Sequence, residues 1–514
     1  MVKRAGGALL ASIAIDPQSP RSVSAQLHHA LREIILAGGV AVGERLPASR
    51  TLAQELGLSR TTVIEAFDRL TAEGLIEARV GAGAFVSQAL ETERPRRPAR
   101  DAGSMSSPAS ASCPAPRPPP RLSRTMTQAV LQFADRSRLP AVARAFTTAL
   151  PAFEAFPVAQ WARLSAQHWR RPRAEVMGYG EPGGHAPLRQ AIAMHLRANR
   201  GIACDAQQIF ICSGAQHAFQ LIGAMLLDPG DKVWFENPGA IGARNSLIAT
   251  GAELVPVPLD EQGLRVAEGL RLAPQFRLAF VTPSHQQPLG MVLGLQRRFE
   301  LLQAAAQAGA WIVEDDYDGE FSFGGPPLPT LKSVDDTGLV IHVGTFSKSL
   351  FPSLRLGYLL APPALVQPLD AIMSRLMHGV PTHTQAVVAS FIGEGHFAAH
   401  VRRMRRLYAE RHEALCAAAR RHLAGALEIV PSSSGLHTVG WLTAKASGHD
   451  EAALVAAAAE QGVTVAPLSR YAIAPRAEGA RQGLVLGFGG VGVEQIERGA
   501  QVLARVLGRT AGAL

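Results

Sequence analysis

Along the first ninety residues, apolar positions recur at helical spacing. Leu27, Leu31, Ile34 and Ile35 share one face of a stretch from Ser24 to Ala37, which Gly38-Gly39 ends. After Pro47 a second short helix carries Leu52, Ala53 and Leu56, and Gly57 breaks it. Ser59 caps a third, in which Val63, Phe67 and Leu70 repeat at i, i+4 and i+7. Two short helices joined by Leu56-Gly57-Leu58-Ser59 form a helix-turn-helix pattern. Leu75 to Val86 then reads as two short strands around Gly81-Ala82-Gly83, a wing.

The pattern changes beyond residue 200. Short apolar runs at Gln208–Ser213, Lys232–Glu236, Glu253–Val257, Leu278–Thr282, Ala310–Glu314, Leu339–Thr345 and Leu356–Leu360 alternate with helical stretches. That alternation predicts an α/β domain with a mostly parallel sheet covered on both faces. Between the two regions, residues 89–124 hold eight prolines, six serines and seven arginines, with Leu90, Met105 and Leu122 as the only bulky aliphatics. Such a segment buries no core and reads as a semi-extended linker. The chain is therefore multi-domain: residues 20–88, a linker over 89–124, and residues 125–514.

Charge adds less than its total suggests. The net +9 is densest in the linker, where seven arginines face three acids, whereas residues 1–88 carry nine basic and eight acidic side chains. The linker arginines read as solvated, with DNA phosphates the alternative. No apolar run reaches the ~18 residues of a membrane span. Lys3-Arg4 followed by Ala5–Ile15 reads as an extended arm rather than a secretory signal, because no convincing cleavage site follows. Four cysteines without a C-x-x-C pair point to no disulfide framework and no metal site, and to a cytoplasmic protein.

In a parallel sheet, chemistry sits just past the carboxyl ends of strands. Gly214-Ala215-Gln216 opens a helix there, with free N–H groups suited to phosphate. Asp315 follows the Ala310–Glu314 run, where a buried carboxylate needs a cationic partner. Lysines are only five: Lys3, Lys232, Lys332, Lys348 and Lys445. Only Lys348 stands just beyond a candidate core strand, where burial lowers an amine's pKa. Arg355 follows seven residues later. Together these make a pyridoxal 5'-phosphate site, with Lys348 forming the Schiff base, Asp315 holding the pyridine nitrogen protonated, and Arg355 reading the phosphate. Ser59-Arg60-Thr61-Thr62, at the start of the second helix of the helix-turn-helix, offers one cation and three hydroxyls to a DNA groove.

Arg45-Leu46-Pro47-Ala48-Ser49-Arg50, Leu56 to Val63, Glu73-Gly74-Leu75 and Gly81 to Val86 resemble the GntR-type winged helix. The resemblance implies DNA contacts by Arg50, Ser59, Arg60, Thr61, Thr62 and the wing tip at Gly81. Ser213 to Gln216, Pro229-Gly230-Asp231, Val281 to Gln286, Glu314 to Asp318, Gly344 to Lys348 and Leu354 to Tyr358 resemble the fold-type-I aminotransferase-like domain of MocR-type regulators. That likeness implies that Tyr317 contacts the cofactor's ring hydroxyl and that Ser213, Gly214, Ala215, Gln216, Thr345, Ser347 and Arg355 surround its phosphate. It implies a homodimer acting on a double-stranded operator and responding to an amine, an amino acid or the cofactor itself.

The chain departs from the family pattern in three places. Pro238-Gly239-Ala240 stands where relatives have Pro-Gly-Tyr, Gln286-Gln287-Pro288-Leu289-Gly290 where they have Gln-Tyr-Pro-Thr-Gly, and Gly81-Ala82-Gly83-Ala84 where many have Gly-Ser-Gly-Thr. Losing the stacked tyrosine costs ~1 kcal/mol of cofactor binding. Arg470 is the candidate for a substrate carboxylate. These features favour a sensor over its alternatives, an active aminotransferase carrying a DNA-binding domain and a regulator that has lost the cofactor.

Overall fold

The computed structural model describes residues 13–16, 18–79, 83–89, 121–135, 140, 142–170, 174–323, 329–377, 379–444, 446, 450–474 and 481–511. The chain divides into two compact units, Met1–Arg117 and Pro118–Leu514.

In the first unit, α1 (Val23–Leu36), α2 (Ser49–Leu56) and α3 (Arg60–Ala72) bury Leu27, Leu31, Leu52, Val63 and Leu70 in one core. The Ser59 hydroxyl accepts from the Thr62 N–H at 3.1 Å and so caps α3. Gly57, at φ 65°, ends α2 in a left-handed turn. Phe67 is only half-buried; Ala66 fills the inward face between Val63 and Leu70. Strands β1 (Ile76–Arg79) and β2 (Gly83–Val86) pair antiparallel, with Arg79 opposite Gly83.

The second unit is built on an eight-stranded sheet of order β3-β10-β9-β8-β7-β4-β5-β6. Its members are β3 (Ile209–Cys212), β4 (Lys232–Asn237), β5 (Glu253–Asp260), β6 (Gly263–Leu264), β7 (Leu278–Val281), β8 (Trp311–Asp316), β9 (Val340–Thr345) and β10 (Gly357–Leu360). The strands from β9 through β8, β7 and β4 to β5 run parallel, and β10 is antiparallel to both β9 and β3. Ile209 and Ile211 join one core cluster while Phe210 and Cys212 join another, as the period-two alternation of a strand covered on both faces requires. All seven apolar runs read from the sequence lie in this sheet.

A second sheet, β11-β12-β14-β13, was not anticipated from the sequence. Its strands are β11 (Leu427–Ile429), β12 (His437–Leu442), β13 (Ala466–Pro467) and β14 (Gly483–Gly487), and β13 contains a proline. They share a core with the helices His396–His422 and Val493–Ala511.

Candidate functional site

The strand register brings the predicted site residues together. Gly357 on β10 lies opposite Thr345 on one side and Cys212 on the other. The ends of β9 and β3, with the Lys348 turn and the Ser213-Gly214 turn just beyond them, therefore stand side by side. On β8, Asp315 lies opposite Val343, two residues before Thr345.

Gly214 takes φ 83° at the N-cap of the Ala215–Leu226 helix, a conformation that excludes most side chains. Arg355, itself left-handed at φ 49°, donates to the Ser213 carbonyl at 3.4 Å, and its guanidinium faces Gly214. A Cβ on Gly357 would lie 3.1 Å from the Gly214 backbone, so glycine permits this close approach. The Gln216 side chain packs against Gly242. The Thr345 hydroxyl accepts from the Ser347 N–H at 3.2 Å and starts the Phe346–Ser349 turn that carries Lys348. Helix N-terminus, Ser347, Thr345 and a guanidinium form an anion cradle.

Lys348 donates to the Ala149 carbonyl at 2.9 Å. It lines a cavity with Thr148, Gln287, Tyr317, His437 and Tyr471. Ala149 takes φ 68°, a strained conformation for alanine, beside the amine. Asp315 is buried, and its Oδ1 has no hydrogen-bond partner among the described residues. Burial first, then the carboxylates of Asp316 and Asp318, push its pKa well above the usual range, while Lys348 acts in the opposite direction. An orphaned buried carboxylate oxygen calls for a cationic N–H donor. Burial, reinforced by Asp318 and Asp315, likewise holds the Tyr317 phenol protonated.

Arg470 is half-buried, and its Nε donates to the Asp135 carbonyl at 2.9 Å. Its neighbour Tyr471 is the residue that lines the cavity. Ala240 is buried at the N-cap of the Ile241–Ile248 helix, and Leu289 packs with Val439 and Tyr471. The sequence reading missed Thr148 and Ala149, which reach the lysine from 199 residues away in sequence, and it assigned no role to His437 or to the His285 side chain.

In the first unit, Arg50, Ser59, Arg60 and Thr61 are exposed and Thr62 is half-buried. The Ser59 and Thr62 hydroxyls lie 2.7 Å apart, engaged with each other as a cap, so Arg60 and Thr61 present the groups turned outward. Gly81 lies outside the described residues. Arg79 stacks its guanidinium 4.7 Å from the Phe85 ring, and Arg45 packs against Gly83, two wing cations not singled out from sequence. Replacing Arg60 by alanine should weaken operator binding by roughly 1–3 kcal/mol if it reads a base edge, with relaxed preference at one position per half-site. Competition binding against operators altered base by base measures this. An unchanged affinity removes the start of α3 from the recognition surface.

Residues 151–480 match the family model for aminotransferase class I and II, and residues 23–86 match that of the gntR family of bacterial regulatory proteins. The chain is 39% identical over 493 residues to the probable rhizopine catabolism regulatory protein MocR of Rhizobium meliloti, covering 96% of this chain and 95% of that protein. It is 30% identical over 480 residues to the HTH-type pyridoxine biosynthesis transcriptional regulator PdxR of Corynebacterium glutamicum, covering 93% and 94%. Among solved structures, α-aminoadipate aminotransferase LysN of Thermus thermophilus, complexed with N-(5'-phosphopyridoxyl)-L-leucine, superposes with a TM-score of 0.65 at 26% identity, covering 76% of this chain and 96% of that one. Kynurenine aminotransferase of Pyrococcus horikoshii shares the fold, with a TM-score of 0.66 at 24% identity, covering 76% and 96%.

Proposed function

The chain belongs to the MocR-type subfamily of GntR transcriptional regulators, with pyridoxal 5'-phosphate the cofactor of its aminotransferase-like domain, and from that premise we propose that it senses an amine, an amino acid or the cofactor itself and passes the result to its winged helix. It acts as a cytoplasmic homodimer on an operator with two half-sites. The observation that carries the reading is the convergence of Lys348, the orphaned oxygen of Asp315 and the Ser213–Arg355 cradle at neighbouring strand ends. Among the described residues no helix is long and apolar enough to cross a membrane.

These residues fit the cofactor. When bound, it supplies an aldehyde that an amine can attack and a ring that draws electrons from the attached carbon. Arg355 and the N-terminal end of the Ala215–Leu226 helix would hold its phosphate, with the Thr345 and Ser347 hydroxyls beside them. Asp315 holds a proton at the ring nitrogen, and its burial strengthens that ion pair. Lys348 supplies the amine for covalent attachment, while Tyr317 donates a hydrogen bond to the ring oxygen. Arg470 spends donors on the Asp135 backbone carbonyl, and Ala240 offers no ring to stack on the pyridine. Both features favour sensing over rapid turnover. An effector bound here changes the population of arrangements available to the paired winged helices, and so their operator affinity.

The test uses full-length protein loaded with pyridoxal 5'-phosphate and DNA from upstream of its own gene. A panel of amines and amino acids should contain at least one that shifts operator affinity about fivefold or more, the scale of an allosteric coupling of ~1–3 kcal/mol. Transamination over the same panel should stop near one turnover. Sustained turnover with no effect on DNA binding would establish the aminotransferase reading instead.

A further inference from the structure

Tyr317 has two surroundings. It lines the cavity that holds Lys348, and its hydroxyl reaches a buried cluster formed by His285, Asp318 and His437. The His285 and Asp318 side chains are each 1% exposed. His285 Nδ1 lies 2.9 Å from Asp318 Oδ2 and 3.0 Å from the Tyr317 hydroxyl, which also donates to the His285 carbonyl at 3.0 Å. A carboxylate oxygen this close requires the proton to be on Nδ1. The other ring nitrogen, Nε2, is buried with no hydrogen-bond partner among the described residues. That pattern suits the neutral tautomer protonated at Nδ1, since an N–H buried without an acceptor pays its full desolvation cost.

The imidazole is held on its other sides. A Cβ on Gly435 would fall 2.1 Å from its Cε1, so only glycine lets the ring sit there. His437 stands 4.9 Å away, centroid to centroid, and burial followed by the influence of His285 pushes its own pKa down to about 3, which keeps it neutral. The donors of the three residues lie within 4.8 Å of one another. The His285–Asp318 distance of 2.9 Å is that of an imidazole N–H donating to a carboxylate.

We propose that Asp318 and His285 are positioning residues for Tyr317: the carboxylate fixes the proton on Nδ1, and that N–H is shared between the carboxylate and the phenol oxygen as a three-centre hydrogen bond. The phenol's own proton is thereby left for an acceptor on its other side. Without a ligand that acceptor is the His285 carbonyl, and rotation of the hydroxyl offers the same proton to the ring oxygen of a bound cofactor. A phenol that accepts one hydrogen bond donates its own more strongly, because hydrogen bonds in a chain polarise one another. The inference rests on Tyr317 being a cofactor contact, as read above.

Full-length protein labelled with 3-fluorotyrosine carries five reporters, Tyr179, Tyr317, Tyr358, Tyr408 and Tyr471, and Tyr317→Phe assigns the fluorine resonance of interest. In cofactor-free protein, His285→Leu should move the Tyr317 resonance and leave those of Tyr179 and Tyr358 in place, while His285→Asn, which keeps an N–H near the Nδ1 position, should restore it. With pyridoxal 5'-phosphate, His285→Leu should weaken binding about tenfold, the scale of one hydrogen bond. In a Tyr317→Phe background the same change should cost less than about twofold. Should His285→Leu fail to fold, Asp318→Asn carries the same comparison. An unmoved Tyr317 resonance, or an equal loss of affinity in the Tyr317→Phe background, overturns the dyad. Failure of the wild type to bind pyridoxal 5'-phosphate refutes the cofactor reading instead, and the resonance comparison still decides the dyad.

Discussion

Replacing Lys348 with alanine should abolish the yellow, borohydride-fixable form of the protein. Lys348 lines the site cavity at the end of a core strand, with Asp315 close enough to feel its charge. The other lysines among the described residues are poorly placed for this role. Lys232 is exposed at the start of β4, and Lys332 pairs with Asp335 at 2.9 Å. Lys3 and Lys445 lie outside the described residues. Borohydride reduction followed by peptide mass mapping should therefore find the cofactor on Lys348 alone in the wild type and nowhere in Lys348→Ala. The proposed phosphate cradle at Gly214 and Arg355 does not depend on the lysine, so the variant should still hold the cofactor reversibly. A variant that remains reducible assigns the attachment to another amine and dismantles the site as described.

The second large effect concerns stability. Arg200, the last residue of the Ala186–Arg200 helix, has a side chain only 2% exposed. It donates to Asp316 at 2.7 Å, to the Gly319 carbonyl at 2.9 Å and to the Ser284 hydroxyl at 3.4 Å. Burial alone would raise the Asp316 pKa, but Arg200, with His342, outweighs it and holds the carboxyl below its usual value. Arg200→Met leaves that carboxylate buried without its cation, at a cost of about 3–5 kcal/mol. Denaturant unfolding of the large unit at pH 7 measures it.

The pH dependence supplies a second signature. In the wild type, a depressed carboxyl pKa contributes stability that is present above the unfolded-state pKa and is lost as pH falls through the lower folded value. In Arg200→Met, burial raises the pKa instead, so lowering the pH toward 5 should narrow the gap between variant and wild type. Adding Asp316→Asn should recover part of the loss. A single variant within about 1 kcal/mol of wild type at pH 7 would mean that water reaches Asp316. Because Asp316 lies between Asp315 and Tyr317, the loosened variant should also bind cofactor less tightly.

Much of this molecule is written locally in the chain. Seven of the eight strands of the large sheet are short, largely apolar runs bounded by turns, because strands covered on both faces bury both sets of side chains. Ser59, Gly57 and Gly38-Gly39 punctuate the first helices through side-chain caps and left-handed turns that need only neighbouring residues. Lys348 and Asp315 stood out because strand ends are where a parallel sheet places its chemistry and because lysine is scarce here. The second sheet was not legible, since β13 is two residues long and includes Pro467, and it exists only by pairing with β14. Ala149 meets Lys348, Tyr471 lines their cavity and His437 packs on His285 through contacts between residues about 120 to 330 positions apart. Arg470 meets the backbone carbonyl of Asp135, 335 residues away in sequence. Propensity, capping and alternation act over a few residues and so can be read from the chain. Which carboxylate is orphaned, which carbonyl meets an amine and which imidazole faces a phenol depend on how distant strands register, and only the folded protein decides that.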